Sequence, residues 1–174
     1  MTKLEELFGL DQLPPKADRS QVTLTDGSAV TADYSNLKVN GQQKAYVVLS
    51  AEERAKGFVR PLRHSYVHIG PPPPRFALRA LTEAERLRYP QYAAYEAYPK
   101  GNATVGRFWT RDTLRRLENP CKGVTTMQDA IAATYARDPG FYGATFCATC
   151  RQHFPVGERG EFVWVDAPDE RVGT

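Results

Sequence analysis

The chain has 174 residues, 41% of them hydrophobic and 25% charged, with a formal net charge of +3. This composition fits one soluble domain with or without an arm, and no stretch approaches the roughly 20 apolar residues of a membrane span. Thirteen prolines and thirteen glycines exclude an architecture of long helices, and an odd cysteine count of three fits a pure disulfide framework badly.

Residues 2–10 predict a short amphipathic helix with Leu4, Leu7 and Phe8 on one side, broken by Pro14 and Pro15. The opening "MTKLEELFGL" lacks the apolar run of a secretory signal, so a reducing, cytosolic setting is expected. Alternation around Asp26-Gly27 predicts a hairpin over residues 21–33, and Asn40-Gly41 marks a second turn before a strand over 45–49. Residues 1–50 thus read as an N-terminal arm or β-hairpin region, and 51–174 as the main α+β domain.

Ser50 and Glu53 have the spacing of a capping box, opening a short helix that Gly57 stops. Residues 58–70 predict a strand, and Pro71–Pro74 a stiff extended connector. Thr82 and Glu85 form a second capping box, for a helix ending near Tyr89-Pro90. Tyr92, Tyr95 and Tyr98 recur every third residue, a spacing that a helical turn would align for packing or for base stacking. Residues 105–110 predict a strand, followed by a helix from Thr110 to Pro120. A second helix follows, capped by Thr125 or Thr126, with Met127, Ala130, Ile131 and Thr134 on one face and its end at Asp138-Pro139. A strand then leads into Cys147, and residues 161–165 are its expected return strand. The fold expected is α+β, with an N-terminal β-hairpin region, short helices and a C-terminal zinc-ribbon-like β-hairpin knuckle.

Cys147 and Cys150 form a Cys-x-x-Cys pair, which on a turn offers two thiolates to one ion. His153 follows three residues later, and Cys121 is the only other cysteine. The expected site is one structural Zn²⁺ on Cys121, Cys147, Cys150 and His153. Four protein ligands would leave no position for a catalytic water. Zinc binding in small finger peptides is worth about 10–16 kcal/mol, against a total stability of about 5–15 kcal/mol for a typical domain. Two other readings remain: a thioredoxin-like redox pair, disfavoured by Pro155, Gly157 and Gly160 where a helix would be needed, and plainly buried cysteines. His153 is the weakest ligand of the four, because Phe154 could be the inward residue instead.

His64, Tyr66 and His68 alternate onto one strand face, but no cysteine or carboxylate close in sequence completes a ligand set, so a core or surface role is expected. Arginines interleaved with aromatics over residues 54–98, among them Arg60, Arg63, Arg75 and Arg79, offer a nucleic-acid surface or, more simply, a solvated face. No phosphate-binding glycine loop, metalloprotease motif or nucleophile elbow is present, and no histidine supplies the His-x-Glu of a zinc deaminase.

The stretches "GFVRPLRHSYVHIG", "VGRFWT" and "TYARDPGFYGATFCATCRQHFPVGERGEFVW" resemble a family of small uncharacterised proteins of tailed bacteriophages and prophages, over roughly residues 45–174. Its most specific piece runs from Ala136 to Cys150, followed by His153. The resemblance implies a phage context, hence the host cytoplasm or the virion, and agrees with a Cys/His cluster. It supplies no activity and no catalytic residue. Three functions follow as expectations: a non-enzymatic accessory or virion-associated protein stapled by zinc, with phage structural or host proteins as partners; a nucleic-acid-binding accessory; or an enzyme acting against a host defence with Cys121 as nucleophile. Membrane partners are not expected.

Overall fold

The computed structural model describes residues 13–102 and 105–174. The helix expected over residues 2–10 lies outside them. The described chain is α+β, built of small antiparallel sheets and short helices. The described residues divide into two compact units, one of residues 13–68 with 123–174, the other within 69–122. The seam expected near residue 50 is therefore not where the chain divides: residue 50 lies inside the first unit, and Leu49 N–H donates to Thr134 Oγ1 there.

In the first unit, β1 (Val22–Leu24) pairs antiparallel with β2 (Val47–Leu49). The local hairpin expected over residues 21–33 does not form. Asp26-Gly27 does turn the chain, with Gly27 at φ +86° and Ser28 N–H donating to Asp26 Oδ1, but the returning residues find no ladder until β2. Asn40-Gly41 turns as expected, closed by an isolated bridge between Leu37 and Gln43. Helix α1 (Ala51–Arg54) is capped by Ser50, whose hydroxyl accepts from Glu53 N–H. The Glu53 carboxylate does not complete a capping box; it is buried, accepting from Asp18 N–H and from Arg137.

Strand β3 (Ser65–His68) lies between β7 (Val124–Thr126) and β10 (Phe162–Trp164). Helix α4 (Asp129–Arg137) starts later than expected, at Gln128, because Val124–Thr126 is drawn into the sheet; its N-cap makes no side-chain hydrogen bond. Strand β8 (Ala144–Cys147) pairs with β9 (Gln152–Pro155), not with residues 161–165, of which 162–164 form β10 and pair with β3. Cys147 therefore ends β8, and Cys150 lies within the tight β8–β9 turn. Tyr66 Oη donates to the Phe146 carbonyl, and Thr125 Oγ1 accepts from Ala148 N–H, which fixes this hairpin against β3 and β7.

The second unit is a sheet in the order β4 (Leu78–Ala80), β5 (Tyr92–Ala97), β6 (Gly106–Thr110), with helices α2 (Glu83–Arg88) and α3 (Arg111–Glu118). Both helix starts are as the sequence predicts: Thr82 and Glu85 make a complete capping box, and Thr110 caps α3. The tyrosine segment is a strand, not a helical turn. A register shift between Tyr92 and Ala94 inserts one residue, so a spacing of three still brings Tyr92 and Tyr95 to one ring, Phe108, at centroid distances of 5.2 and 4.8 Å. The Glu96 carboxylate is fully buried and accepts from Arg75 N–H, Phe76 N–H and Trp109 Nε1–H.

Candidate metal centre

Strand pairing brings four soft donors together. His68 ends β3, and its N–H donates to the carbonyl of Gly123. Cys121 stands two residues before Gly123, so this bond carries it towards His68. The β8–β9 turn supplies Cys147, fully buried, and Cys150, exposed. The donor atoms of His68, Cys121, Cys147 and Cys150 all lie within 4.8 Å of one another, close enough to hold one metal ion.

The geometry fits a thiolate–imidazole centre. Cys150 Sγ stands 3.5 Å from His68 Nδ1. Ligands at about 2.3 Å (sulfur) and 2.0 Å (nitrogen), set at the tetrahedral angle, would be roughly 3.5 Å apart. The Cys150 N–H points at Cys147 Sγ at 3.5 Å, a donor that steadies a thiolate.

The His68 ring is fixed by its neighbours. It is 1% exposed and packs against Phe154 at 4.3 Å and Phe162 at 4.8 Å. Its Nε2–H donates to Glu161 Oε1 at 3.2 Å, and Glu161 is itself buried. That bond fixes the tautomer with the Nδ1 lone pair directed to the sulfurs, the outer-shell arrangement of metal-binding histidines. The backbone carries a matching mark. Lys122 and Arg151 have φ of 57° and 56°, the only non-glycine residues with positive φ among those described, and each directly follows a cysteine of the group. Such conformations cost L-residues on the order of 1 kcal/mol or more.

The expected fourth ligand, His153, is not in this group. It pairs with Phe146 across the β8–β9 ladder, while Cys147 pairs with Gln152. Side chains alternate across a pleated strand, so His153 and Cys147 point to opposite faces. His153 Nε2 instead meets Tyr46 Oη at 3.0 Å, and burial lowers its pKa. Phe154, one residue on, faces inward against His68. The residue that spacing missed is therefore His68, 53 residues before Cys121 in sequence. Its signal was the alternation of His64, Tyr66 and His68; of these, His64 turns to Asp129 at 2.9 Å instead.

The arginines of the expected basic surface are divided between the two units. Arg63 is largely buried and tied to Asp166 and Glu170, and Arg60 Nε donates to the Thr174 carbonyl. Both lie in the first unit, whereas Arg75 and Arg79 lie in the second. A cavity of about 290 Å³ in the first unit is lined in part by Tyr46, Tyr66 and Tyr142. Their hydroxyls are engaged by His153, the Phe146 carbonyl and the Val47 carbonyl, respectively. No family model, curated protein or solved structure matches the chain. Among the described residues, no helix is long and apolar enough to cross a membrane.

Proposed function

We propose that the protein is a non-enzymatic accessory protein, phage-encoded and acting in the host cytoplasm or as part of the virion, whose fold is held by one structural Zn²⁺ on His68, Cys121, Cys147 and Cys150. The observation that carries the metal reading is the donor set: three thiols and one imidazole, drawn from three separate places in the chain, with donor atoms within 4.8 Å. Three sulfurs and one nitrogen in a compact cluster select zinc over hard cations, which take oxygen ligands. Four protein ligands fill a tetrahedral shell, and the ion then has no site for water or substrate, which supports a structural role. The phage context is supported by the sequence resemblance over residues 45–174. A zinc-bound Cys121 would not be available as a nucleophile, which argues against the enzymatic reading.

The test is metal analysis of purified protein together with a chelator titration followed by circular dichroism. One equivalent of zinc and loss of structure on chelation are expected. Protein that is folded and metal-free overturns the metal reading. Mass spectrometry of purified phage particles tests the virion assignment separately.

A further inference from the structure

Residues 69–122 contain ten basic and five acidic side chains, a net charge of +5 in a chain whose total is only +3. The acids are mostly used internally. Glu96 is buried, Glu85 binds Arg79 through both oxygens, and Asp112 binds Arg115 and Arg116. Arg75, Arg86, Arg88, Lys100 and Arg111 stay exposed.

Two cations of this unit, Arg79 and Arg88, stand over an aromatic strip. Arg79, Tyr95 and Phe108 are register partners across β4, β5 and β6, so they share one sheet face, with Ala80, Ala94 and Trp109 on the other. Tyr89 and Tyr92 extend the strip, each with its ring about 5 Å from Phe108. All four rings are only partly buried. The Arg79 guanidinium lies 4.4 Å over Tyr95, and that of Arg88 5.4 Å from Tyr89. Rings and planar guanidinium groups both offer stacking surfaces to bases, and the surrounding positive charge attracts phosphates.

We infer that this sheet face of the second unit is a platform for single-stranded nucleic acid. Bases stack on Tyr92, Tyr95 and Phe108, and the backbone follows Arg86 and Arg88. Single strands are chosen over duplex because paired bases are stacked on one another and cannot lie on protein rings. The inference goes beyond the metal reading and does not depend on it.

The test is fluorescence anisotropy of a labelled single-stranded DNA with the full-length, metal-loaded chain. Binding is expected at about 50 mM salt, weakening roughly fifty-fold by about 200 mM if about four phosphates are contacted. Tyr92→Leu weakens binding roughly tenfold with the salt slope unchanged. The paired change Arg86→Ala with Arg88→Ala weakens binding and reduces the slope by about 1.4. Near-ultraviolet circular dichroism checks that Tyr92→Leu is folded; if it is not, the arginine pair decides. The inference is overturned by no binding at low salt, by equal or tighter binding of duplex, by an unchanged slope in the arginine pair, or by binding to phosphatidylserine vesicles in place of the oligonucleotide.

Discussion

Glu161 provides the sharpest test of the metal centre, because it touches no ion itself. Its carboxylate accepts from His68 Nε2–H at 3.2 Å, and both side chains are almost fully buried. If His68 binds metal through Nδ1, Glu161 fixes the orientation of the ring. Outer-shell partners of this kind are worth about 10- to 100-fold in metal affinity, or about 1.4–2.8 kcal/mol. Glu161→Gln retains a carbonyl acceptor at the same reach and loses only the charge, so it belongs at the low end, roughly tenfold. Glu161→Ala leaves a buried N–H without an acceptor and adds a desolvation cost of about 1–3 kcal/mol, so it belongs at or beyond the high end. The assay is competition for zinc against a chromogenic chelator, with circular dichroism to confirm the fold. The graded order parent, Gln, Ala is the signature sought. Parent-like affinity in a folded Glu161→Ala variant would refute the assignment of His68 as a ligand oriented by Glu161.

The cysteine and histidine variants separate the two histidines. Cys121→Ser and Cys150→Ser should lose most bound zinc, whereas His153→Ala, on the opposite face of the β8–β9 hairpin, should keep one equivalent by elemental analysis. Glu53 is held down to a pKa of about 2, below the ordinary 4.5, first by Lys56 and then by the Asp18 N–H. A depressed carboxylate stabilises the fold above about pH 4.5 and loses that contribution as the pH falls towards 2. Glu53→Gln should therefore reduce stability at pH 7 and flatten the acid limb of a denaturation series; an unaltered acid limb would count against it. Gly41 sits at φ +85°, and a Cβ there would lie 1.9 Å from the Arg151 carbonyl oxygen, next to Cys150. Gly41→Ala should cost on the order of 2–3 kcal/mol in chemical denaturation and weaken zinc binding as well, since the clash pushes on the Cys-x-x-Cys turn.

What was legible in the sequence was what local chemistry decides. The caps at Ser50, Thr82 and Thr110 and the turns at Gly27, Gly41 and Gly57 each depend on a few adjacent residues, and each stands where the sequence places it. Strand partners were not legible. Residues 22–24 have a turn immediately after them, yet they pair with residues 47–49, because the ladder is settled by which strand buries Leu24 with Val48 and Leu49. The same limit explains the tyrosines, whose spacing of three looks helical until a one-residue irregularity in β5 makes it a strand spacing.

The metal centre shows where this limit matters for chemistry. The three cysteines could be grouped from sequence because a Cys-x-x-Cys turn needs few more ligands and only one other thiol exists. The histidine could not be chosen in the same way. Proximity in sequence favoured His153, but the pleat reverses face at each residue, so a position three beyond a ligand and inside the next strand is turned by the ladder, not by the count. His68 reaches the site because β3 is the central strand of its sheet: pairing with β7 brings Cys121 to its end, and pairing with β10 places Phe162 beside the ring, with Glu161 next in the chain. A histidine at the end of a central strand, with an acid and aromatics converging from the neighbours, is a position that only the assembled sheet creates. The buried carboxylate at its far nitrogen holds the ring with Nδ1 towards the sulfurs, the orientation a metal ligand would need.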